Sequence, residues 1–207
     1  MITYDEPWLK KGETLLCFGD SITAAAGGYV KLLGDKLAEL DIKVINAGRG
    51  GDKTPTALTR FQKDVLDIKP SAVSIYLGAN DSAVGRGRWA DEPQVSPEAY
   101  KYNLIWMAHL CRLSGINKLS IAPPAWKFEA DAYAEHGDIM APYCLAAREA
   151  SDRMLTRFVP LDKTFSDEWA KHPGHTGLLL TTDGVHMTAK GNALITETML
   201  KAWGISS

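Results

Sequence analysis

The sequence lacks the features that mark disulfide-rich, membrane-spanning and nucleic-acid-binding proteins. Its 207 residues contain only three cysteines, and no hydrophobic run approaches the roughly 18 residues that a membrane-spanning helix needs. The formal net charge is -2 and no basic cluster occurs, which argues against nucleic acid as a partner. The N-terminal residues also lack the apolar core of a signal peptide, so we expect a cytoplasmic protein, or a secreted one if a leader has been removed.

Several catalytic and binding motifs are also missing. Ser21 stands in Gly-Asp-Ser-Ile-Thr rather than in the Gly-x-Ser-x-Gly elbow of α/β-hydrolases, and no Gly-x-Gly-x-x-Gly run follows the first apolar segment. With five histidines and no Asp-x-His or His-Glu-x-x-His spacing, a metal-dependent phosphoesterase is disfavoured. That alternative would draw its ligands from carboxylates, an amide and imidazoles, namely Asp20, Asn80, Asp81, His172, His175, Asp183 and His186.

The composition that remains is that of a globular protein. Hydrophobic residues make up 45% of the chain and charged residues 23%. The length favours a single domain over positions 1–207. The cysteines fall in apolar strand-like and helix-like segments, so we interpret Cys17, Cys111 and Cys144 as small buried side chains rather than as disulfide partners.

Short apolar runs alternate with helical patterns along the whole chain. Thr54-Pro55 and Ser96-Pro97 each combine a capping residue with a proline at the first helical position, which is typical of a helix start. This alternation predicts a three-layer α/β/α sandwich around a five-stranded parallel sheet. The predicted strands are 13–18, 43–47, 72–77, 118–122 and 157–161, and the predicted helices are 29–40, 54–68, Pro97 to a stop at Gly115, about 142–155, and Thr188 to Gly204.

Polar residues follow the predicted strands, at the edge where a parallel sheet gathers its ligands. Ser21 follows the first strand, and Asp183 and His186 come after the fifth. A serine hydroxyl needs a base to remove its proton, and an imidazole needs a carboxylate to orient it. We therefore predict Ser21 as a nucleophile, His186 as its base and Asp183 as the residue that orients His186. Asp20 is expected to bond the nearby backbone.

Acyl transfer also needs hydrogen-bond donors for the oxyanion of its tetrahedral intermediate. The backbone amide of Ser21, an unobstructed glycine amide after the second strand and the carboxamide of Asn80 are the candidates. Three neighbouring glycines, Gly48, Gly50 and Gly51, compete for the second position.

Four sequence blocks together resemble one family. They are "GDS" at 19–21, "NAGRGGD" at 46–52, "GAND" at 78–81 and "DGVH" at 183–186, and they resemble the SGNH hydrolases, also called GDSL-type esterases and lipases. The resemblance implies a flavodoxin-like fold, the triad Ser21, Asp183 and His186, and no metal or organic cofactor. It also implies Gly51 and Asn80 as oxyanion donors beside the Ser21 amide, because the family places its donor glycine before Asp in a Gly-Asp-x-Thr run. One departure is Ile22, where the family name expects leucine.

The loops that would choose the substrate are rich in aromatic and basic residues. Segments 84–94, 123–137 and 165–177 are predicted to rim the pocket, with Arg86, Arg88, Trp89 and Trp126 as substrate-binding candidates beside Lys127, Tyr133 and Trp169. We expect a small-molecule substrate, a short-chain and foremost an acetyl ester of a carbohydrate or similar polar alcohol. The alternatives are a lysophospholipase or short-chain lipid esterase and a non-catalytic carbohydrate-binding relative. No feature of the sequence indicates the oligomeric state.

Overall fold

A five-stranded parallel sheet forms the centre of the fold, and the computed structural model describes residues 7–84, 91–125, 127, 129 and 137–205. The strands lie in the order 2-1-3-4-5, which is the order of flavodoxin-like folds. The predicted fold class is therefore confirmed. The strands are β1 (Thr14–Gly19), β2 (Lys43–Gly48), β3 (Ala72–Tyr76), β4 (Lys118–Ala122) and β5 (Arg157–Phe158).

Helices flank this sheet on both faces. They are α1 (Ser21–Ala24), α2 (Tyr29–Ala38), α3 (Thr54–Phe61), α4 (Ala79–Ser82), α5 (Pro97–Leu113), α6 (Ala141–Arg153), α7 (Leu161–Ala170) and α8 (Ala189–Ala202). A π-helical turn, Gln62–Leu66, continues α3. Within the residues that the structure describes, no helix has the length and apolarity needed to cross a membrane.

The two faces of the sheet carry separate hydrophobic cores, because side chains alternate along a strand. In β1, Leu15 and Cys17 join the core formed with α2, α7 and α8, whereas Leu16 and Phe18 join the core formed with α3, α5 and α6. A central strand that is covered on both faces must be apolar at every position, which is why β1 reads as an unbroken hydrophobic run. All three cysteines are buried free thiols, as predicted.

The helix starts agree with the sequence pattern in two of three cases. The Ser96 hydroxyl accepts from the amide of Ala99, and the Thr188 hydroxyl accepts from the amide of Gly191, so both residues cap their helices. The prediction that Thr54 caps α3 is wrong. Thr54 is the first helical residue, and its hydroxyl bonds a distant carboxylate instead.

The region after β4 differs most from the predicted secondary structure. β5 has two residues instead of five, because Pro160 has no amide hydrogen to continue the ladder, and α7 begins immediately after it. This helix occupies the first part of the segment 165–177 that was predicted to be a pocket loop. Leu161 and Phe165 are buried one helical turn apart, a spacing that could have indicated the helix.

Candidate active site

Ser21 lies at the turn where β1 ends and α1 begins. The carboxylate of Asp20 caps this short helix, since its Oδ1 accepts from the Ile22 amide at 2.9 Å. The turn is tight. A Cβ at Gly19 would lie 2.1 Å from the Thr23 hydroxyl oxygen and 2.5 Å from the carbonyl oxygen of Tyr76, so only glycine fits there. Backbone packing thus determines where the Ser21 hydroxyl points.

The structure brings Ser21, His186 and Asp183 into one hydrogen-bonded chain. Ser21 Oγ lies 3.0 Å from His186 Nε2, and His186 Nδ1 lies 2.7 Å from Asp183 Oδ2. Both contacts are satisfied by the tautomer that carries its proton on Nδ1, which donates to the carboxylate and leaves Nε2 to accept from the hydroxyl. This is the arrangement in which a base removes a proton from a nucleophile while a carboxylate orients the base.

Asp183 is held as a carboxylate by the turn that carries it. Its Oδ1 accepts from the backbone amides of Val185 at 3.0 Å and His186 at 2.8 Å. Partial desolvation raises the pKa of Asp183, but the hydrogen bonds from the His186 ring and from these two amides outweigh it and hold the pKa below its usual value. Asp183 therefore remains charged near neutral pH, as an orienting carboxylate must.

The competing glycines at the end of β2 and in the loop after it have different environments. The amide of Gly48 donates to Asn46 Oδ1 at 2.9 Å, and a Cβ at Gly48 would lie 2.2 Å from the Ala24 nitrogen. Gly48 is thus used to pack β2 against α1. Gly51 is exposed and adopts a φ of 78°, a left-handed conformation that favours glycine, whereas Gly50 is exposed without that conformation.

Asn80 lies next to this glycine loop. Its Nδ2 donates to the carbonyl of Asp52, the residue after Gly51, at 3.1 Å. A carboxamide nitrogen carries two hydrogens, so the bond to Asp52 uses one and leaves the other to meet a ligand. The structure thus brings Asn80 together with the loop of the candidate glycine.

A buried arginine, which our sequence analysis did not single out, ties these loops to the strands. Arg60 donates to the carbonyl oxygens of Gly19 and Ala47, each at 3.0 Å, and to Asp52 Oδ2 at 2.6 Å. Its place three residues after Ala57, on the apolar face of α3, is a signal that could have identified it.

A buried carboxylate joins α3 to α4. Asp81 accepts from the amide and the hydroxyl of Thr54, and Asn103 donates to the same hydroxyl at 2.9 Å. Burial raises the pKa of Asp81 to about 6, against the opposing effect of the bonds from Thr54. This network supports α4 directly beside Asn80.

Burial has a still larger effect on Asp20. Burial and, to a smaller extent, the neighbouring Asp81 and Asp52 raise the pKa of this carboxyl, and the Ile22 amide and His186 lower it, so that together they raise the pKa to about 7. The residue that precedes Ser21 is therefore a buried acid that titrates near neutral pH.

A further buried carboxylate, Glu129, contacts the segment before Asp183 and was not among the residues that the sequence pattern indicated. Glu129 is 3% exposed and accepts from the amides of Leu179, Leu180 and Thr181 and from the Thr181 hydroxyl. Nothing in the local sequence around Glu129 indicates these partners, which lie about 50 residues further along the chain.

Comparison with known proteins identifies the family of this chain. The profile of the GDSL-like Lipase/Acylhydrolase family matches residues 17–194, which is most of the chain. The chain belongs to this family. The resemblance inferred from the four sequence blocks is confirmed, and the family is one of carboxylic ester hydrolases.

Curated relatives cover part of this GDSL-family chain. Esterase TesA of Pseudomonas aeruginosa is 36% identical over 114 residues, covering 52% of each chain. An acetylxylan esterase of Geobacillus stearothermophilus is 38% identical over 91 residues, covering 35% of this chain and 42% of the relative. An uncharacterised lipoprotein of Bacillus subtilis, YqeF, is 35% identical over 118 residues, covering 52% and 46%. The matches thus span about half the length of these relatives.

Solved structures share the fold over nearly the whole chain. LAE5, an α/β hydrolase from the metagenome of Lake Arreo, superposes with a TM-score of 0.84 at 23% identity, covering 98% of this chain and 100% of that one. The acetylxylan esterase Axe2 from Geobacillus stearothermophilus superposes with a TM-score of 0.82 at 23% identity, covering 95% and 96%. At this identity the likeness concerns the fold alone.

An apolar cleft adjoins the candidate triad of this GDSL-family protein. It is lined by the sequence neighbours of three site residues, Ile22, Ala79 and Val185, together with Met140 and Phe165. Ile22, the departure from the family name, is buried.

The predicted substrate-binding residues are only partly covered by the structure. Arg86, Arg88, Trp89 and Trp126 lie outside the described residues, as does Tyr133. Trp169 lies on α7 rather than in a loop, lines the cleft, and has Lys127 Nζ 4.2 Å above its ring.

The histidines proposed as alternative metal ligands make other contacts. His172 Nε2 lies 3.6 Å from Glu168 Oε1, and the His175 ring packs against Trp169. Throughout the described part of the chain, no group of three or more His, Cys, Asp or Glu side chains is arranged to hold a metal ion.

Proposed function

We propose that this protein hydrolyses short-chain carboxylic esters through an acyl-enzyme formed on Ser21. The observation that carries the proposal is the chain from Ser21 Oγ to His186 Nε2 at 3.0 Å and from His186 Nδ1 to Asp183 Oδ2 at 2.7 Å. Membership of the GDSL-like family supports the same reaction class.

In the first half of the reaction, Ser21 Oγ attacks the ester carbonyl carbon while His186 Nε2 takes the hydroxyl proton. The amide of Ser21, the amide of Gly51 and the Asn80 carboxamide donate to the oxyanion. The amide of Ser21 suits this role because the first residues of a helix have no intrahelical acceptor for their N–H groups. Collapse of the intermediate breaks the ester bond, and the leaving alcohol takes the proton from His186.

In the second half, water attacks the acyl carbon and His186 takes one of its protons. Collapse of this intermediate releases the carboxylic acid and returns the proton to Ser21. Asp183 stays ionised throughout, since its pKa lies below the usual value, and it stabilises the imidazolium that forms in each half.

For the substrate we propose an acetyl ester of a carbohydrate or similar polar alcohol. The apolar lining of the cleft by Ile22, Ala79 and Val185 suits the methyl group of an acetyl ester. The relative from Geobacillus stearothermophilus that is named an acetylxylan esterase supports the same class.

The second candidate is a lysophospholipase or short-chain lipid esterase. The apolar side chains that line the cleft, among them Ile22, Met140 and Phe165, favour it, because they would also receive a hydrocarbon chain. An acyl-chain series of 4-nitrophenyl esters from acetate to octanoate, run beside acetylated xylo-oligosaccharides and a lysophospholipid, separates the two. We expect kcat/KM to fall with chain length; a rise would favour the lipid esterase.

Hydrolysis of 4-nitrophenyl acetate tests the mechanism. Ser21→Ala should abolish the activity, and Ser114→Ala, which removes an exposed hydroxyl at the opposite end of the sheet, should leave it unchanged. Full activity in the Ser21 variant would overturn the proposal. A chelator should have no effect, whereas chelator-sensitive phosphatase activity would support the metal-dependent alternative.

A further inference from the structure

We propose that Glu129 is a positioning residue that sets the distance between His186 and Ser21 by anchoring the segment that carries the triad's base. This inference rests on the roles proposed above for Ser21, Asp183 and His186. It assigns a function to a buried carboxylate that touches none of the three.

The carboxylate of Glu129 gathers four donors from three consecutive residues. Its Oε2 accepts from the amide of Leu179 at 2.9 Å, the amide of Thr181 at 2.8 Å and the hydroxyl of Thr181 at 2.7 Å. Its Oε1 accepts from the amide of Leu180 at 2.9 Å. A buried carboxylate destabilises the fold unless its oxygens accept hydrogen bonds. Hydrogen bonds to a charged oxygen are stronger than those between neutral groups.

The hydrogen bonds of Glu129 extend into the turn that carries Asp183 and His186. The Thr181 hydroxyl, while donating to Glu129, accepts from the amide of Gly184 at 3.1 Å. The backbone amide of Glu129 donates to the carbonyl of Gly184, also at 3.1 Å. Gly184 has a φ of 97°, and a Cβ there would lie 2.5 Å from the Glu129 carbonyl oxygen. Glu129 thus holds the turn through its side chain and through its backbone.

Apolar packing holds only part of this segment, since Val185 and Met187 are partly buried against the core. The side chains of Asp183 and His186 are 53% and 51% exposed. The Thr182 amide donates to the His186 carbonyl at 2.7 Å, and Thr181 pairs with Met187 in an antiparallel bridge, so 181–187 is tied to itself as a unit. A unit of this kind can shift as a whole unless something outside it fixes its position, and a displacement of about 1 Å can cost about 100-fold in rate.

Charge and geometry both matter at position 129. In Glu129→Gln one carboxylate oxygen becomes an NH₂ group. Its hydrogens would face backbone N–H groups, and these buried donors would then lack an acceptor. In Glu129→Asp the acceptors remain but sit one methylene further from the loop. Thr181→Val removes the hydroxyl that links Glu129 to the Gly184 amide, with little change in the shape of the side chain, whereas Thr181→Ser keeps this hydroxyl.

The test compares these four variants with Glu13→Gln, which removes a carboxylate that bonds Lys118 and the Lys10 amide at the opposite end of β1. At saturating 4-nitrophenyl acetate we expect kcat of Glu129→Gln and Thr181→Val to fall about 10- to 100-fold per folded molecule. Glu129→Asp should recover part of the loss, Thr181→Ser most of it, and Glu13→Gln should match the wild type. In the double variant Glu129→Gln/Thr181→Val the losses of kcat should not add, because both substitutions break the same hydrogen-bond network.

Two spectroscopic readouts separate positioning from general destabilisation. Amide hydrogen exchange should accelerate in Glu129→Gln at Leu180, Thr181 and Gly184 while the amides of β1 stay protected. The downfield proton resonance of His186 Nδ1–H should persist in both Glu129→Gln and Glu13→Gln, because the Asp183–His186 bond lies within the 181–187 unit. Its loss in Glu129→Gln would contradict displacement of the unit as a whole.

Wild-type kcat and unchanged exchange in both Glu129→Gln and Thr181→Val would overturn the proposal, as would kcat losses no larger than that of Glu13→Gln. These outcomes differ from a failure of the proposed function, which would appear as activity that survives Ser21→Ala. The exchange measurement does not depend on catalysis, so it tests the anchor in either case.

Discussion

The two halves of the candidate triad are held by different forces. The nucleophile turn, residues 19–24, is positioned by close packing, since a Cβ at Gly19 or Gly48 would meet other groups at 2.1 and 2.2 Å. The base loop, residues 181–187, exposes Thr182, Asp183 and His186 and is held by hydrogen bonds to the carboxylate of Glu129. We therefore expect substitutions in the nucleophile turn to lower the stability of the sheet, and substitutions at the exposed residues of the base loop to lower activity with little effect on stability. Substitutions in the two regions therefore differ in whether they lower the stability of the fold or only the catalytic rate.

The largest expected effect is in the base loop, from Asp183→Asn. Loss of the orienting carboxylate removes the preferred tautomer of His186, so kcat should fall by roughly 10³- to 10⁴-fold. Because the side chain is 53% exposed, the urea midpoint should hardly change. Asp167→Asn, at an exposed aspartate on α7, is the matched control and should behave as wild type. A loss of kcat below tenfold for Asp183→Asn would contradict the role of this carboxylate.

Between the two regions lies Asn80, where we expect Asn80→Ala to lower kcat by about 100- to 1,000-fold. The variant removes the proposed oxyanion donor and its bond to the Asp52 carbonyl. Asn117→Ala provides the control, because Asn117 also donates to a backbone carbonyl but lies before β4 at the other end of the sheet. If both variants lost activity equally, Asn80 would have no special role. Single-turnover kinetics with 4-nitrophenyl acetate measure the acylation step directly.

The packing of the nucleophile turn is tested at two glycines, Gly48 at the end of β2 and Gly50 in the loop that follows. In Gly48→Ala the new methyl group meets the Ala24 nitrogen at 2.2 Å, so the free energy of unfolding should drop by about 1–3 kcal/mol. Gly50→Ala, where nothing lies within 4 Å, should change it by less than about 0.5 kcal/mol. Urea denaturation followed by circular dichroism compares the two. Equal stabilities would mean that close packing does not hold this turn.

The smallest expected effect is a pH dependence of stability at Asp20. The pKa of about 7 in the folded protein lies above the value near 4 of an unfolded aspartate. The native state therefore keeps a proton that the unfolded state has lost, and stability falls as pH rises from about 4 to 7. Asp20→Asn cannot ionise and still accepts from the Ile22 amide.

Urea midpoints at pH 5 and pH 8 measure this effect. The wild type should lose more stability between the two values than Asp20→Asn, by on the order of 1 kcal/mol. Parallel losses in both proteins would show that another group, such as Asp81 with its pKa of about 6, dominates the pH dependence.

The sequence predicted the fold better than the supports of the site. The strands β1, β3 and β4 were found because strands covered on both faces are continuously apolar, whereas β2 is a partly exposed edge strand with a shorter apolar run. The length of β5 was overestimated because Pro160 ends the ladder early. The triad candidates follow strands or sit in a recognisable block, so they could be named. The position of Arg60 on the apolar face of α3 indicates burial but not its partners, the carbonyls of Gly19 and Ala47. Glu129 was missed because its partners lie about 50 residues away, and no periodic pattern records such contacts.

By itself the sequence determined the layers of the sandwich and the kinds of side chain available at the carboxyl edge of the sheet, because these depend on local periodicity and on residue type. Only the tertiary structure decided that Ser21 and His186, 165 residues apart, come within 3.0 Å. It also decided that the Gly48 amide is already paired and that a distant glutamate holds the base loop. Hydrogen bonds act over about 3 Å, so they depend on positions that the whole fold must first establish.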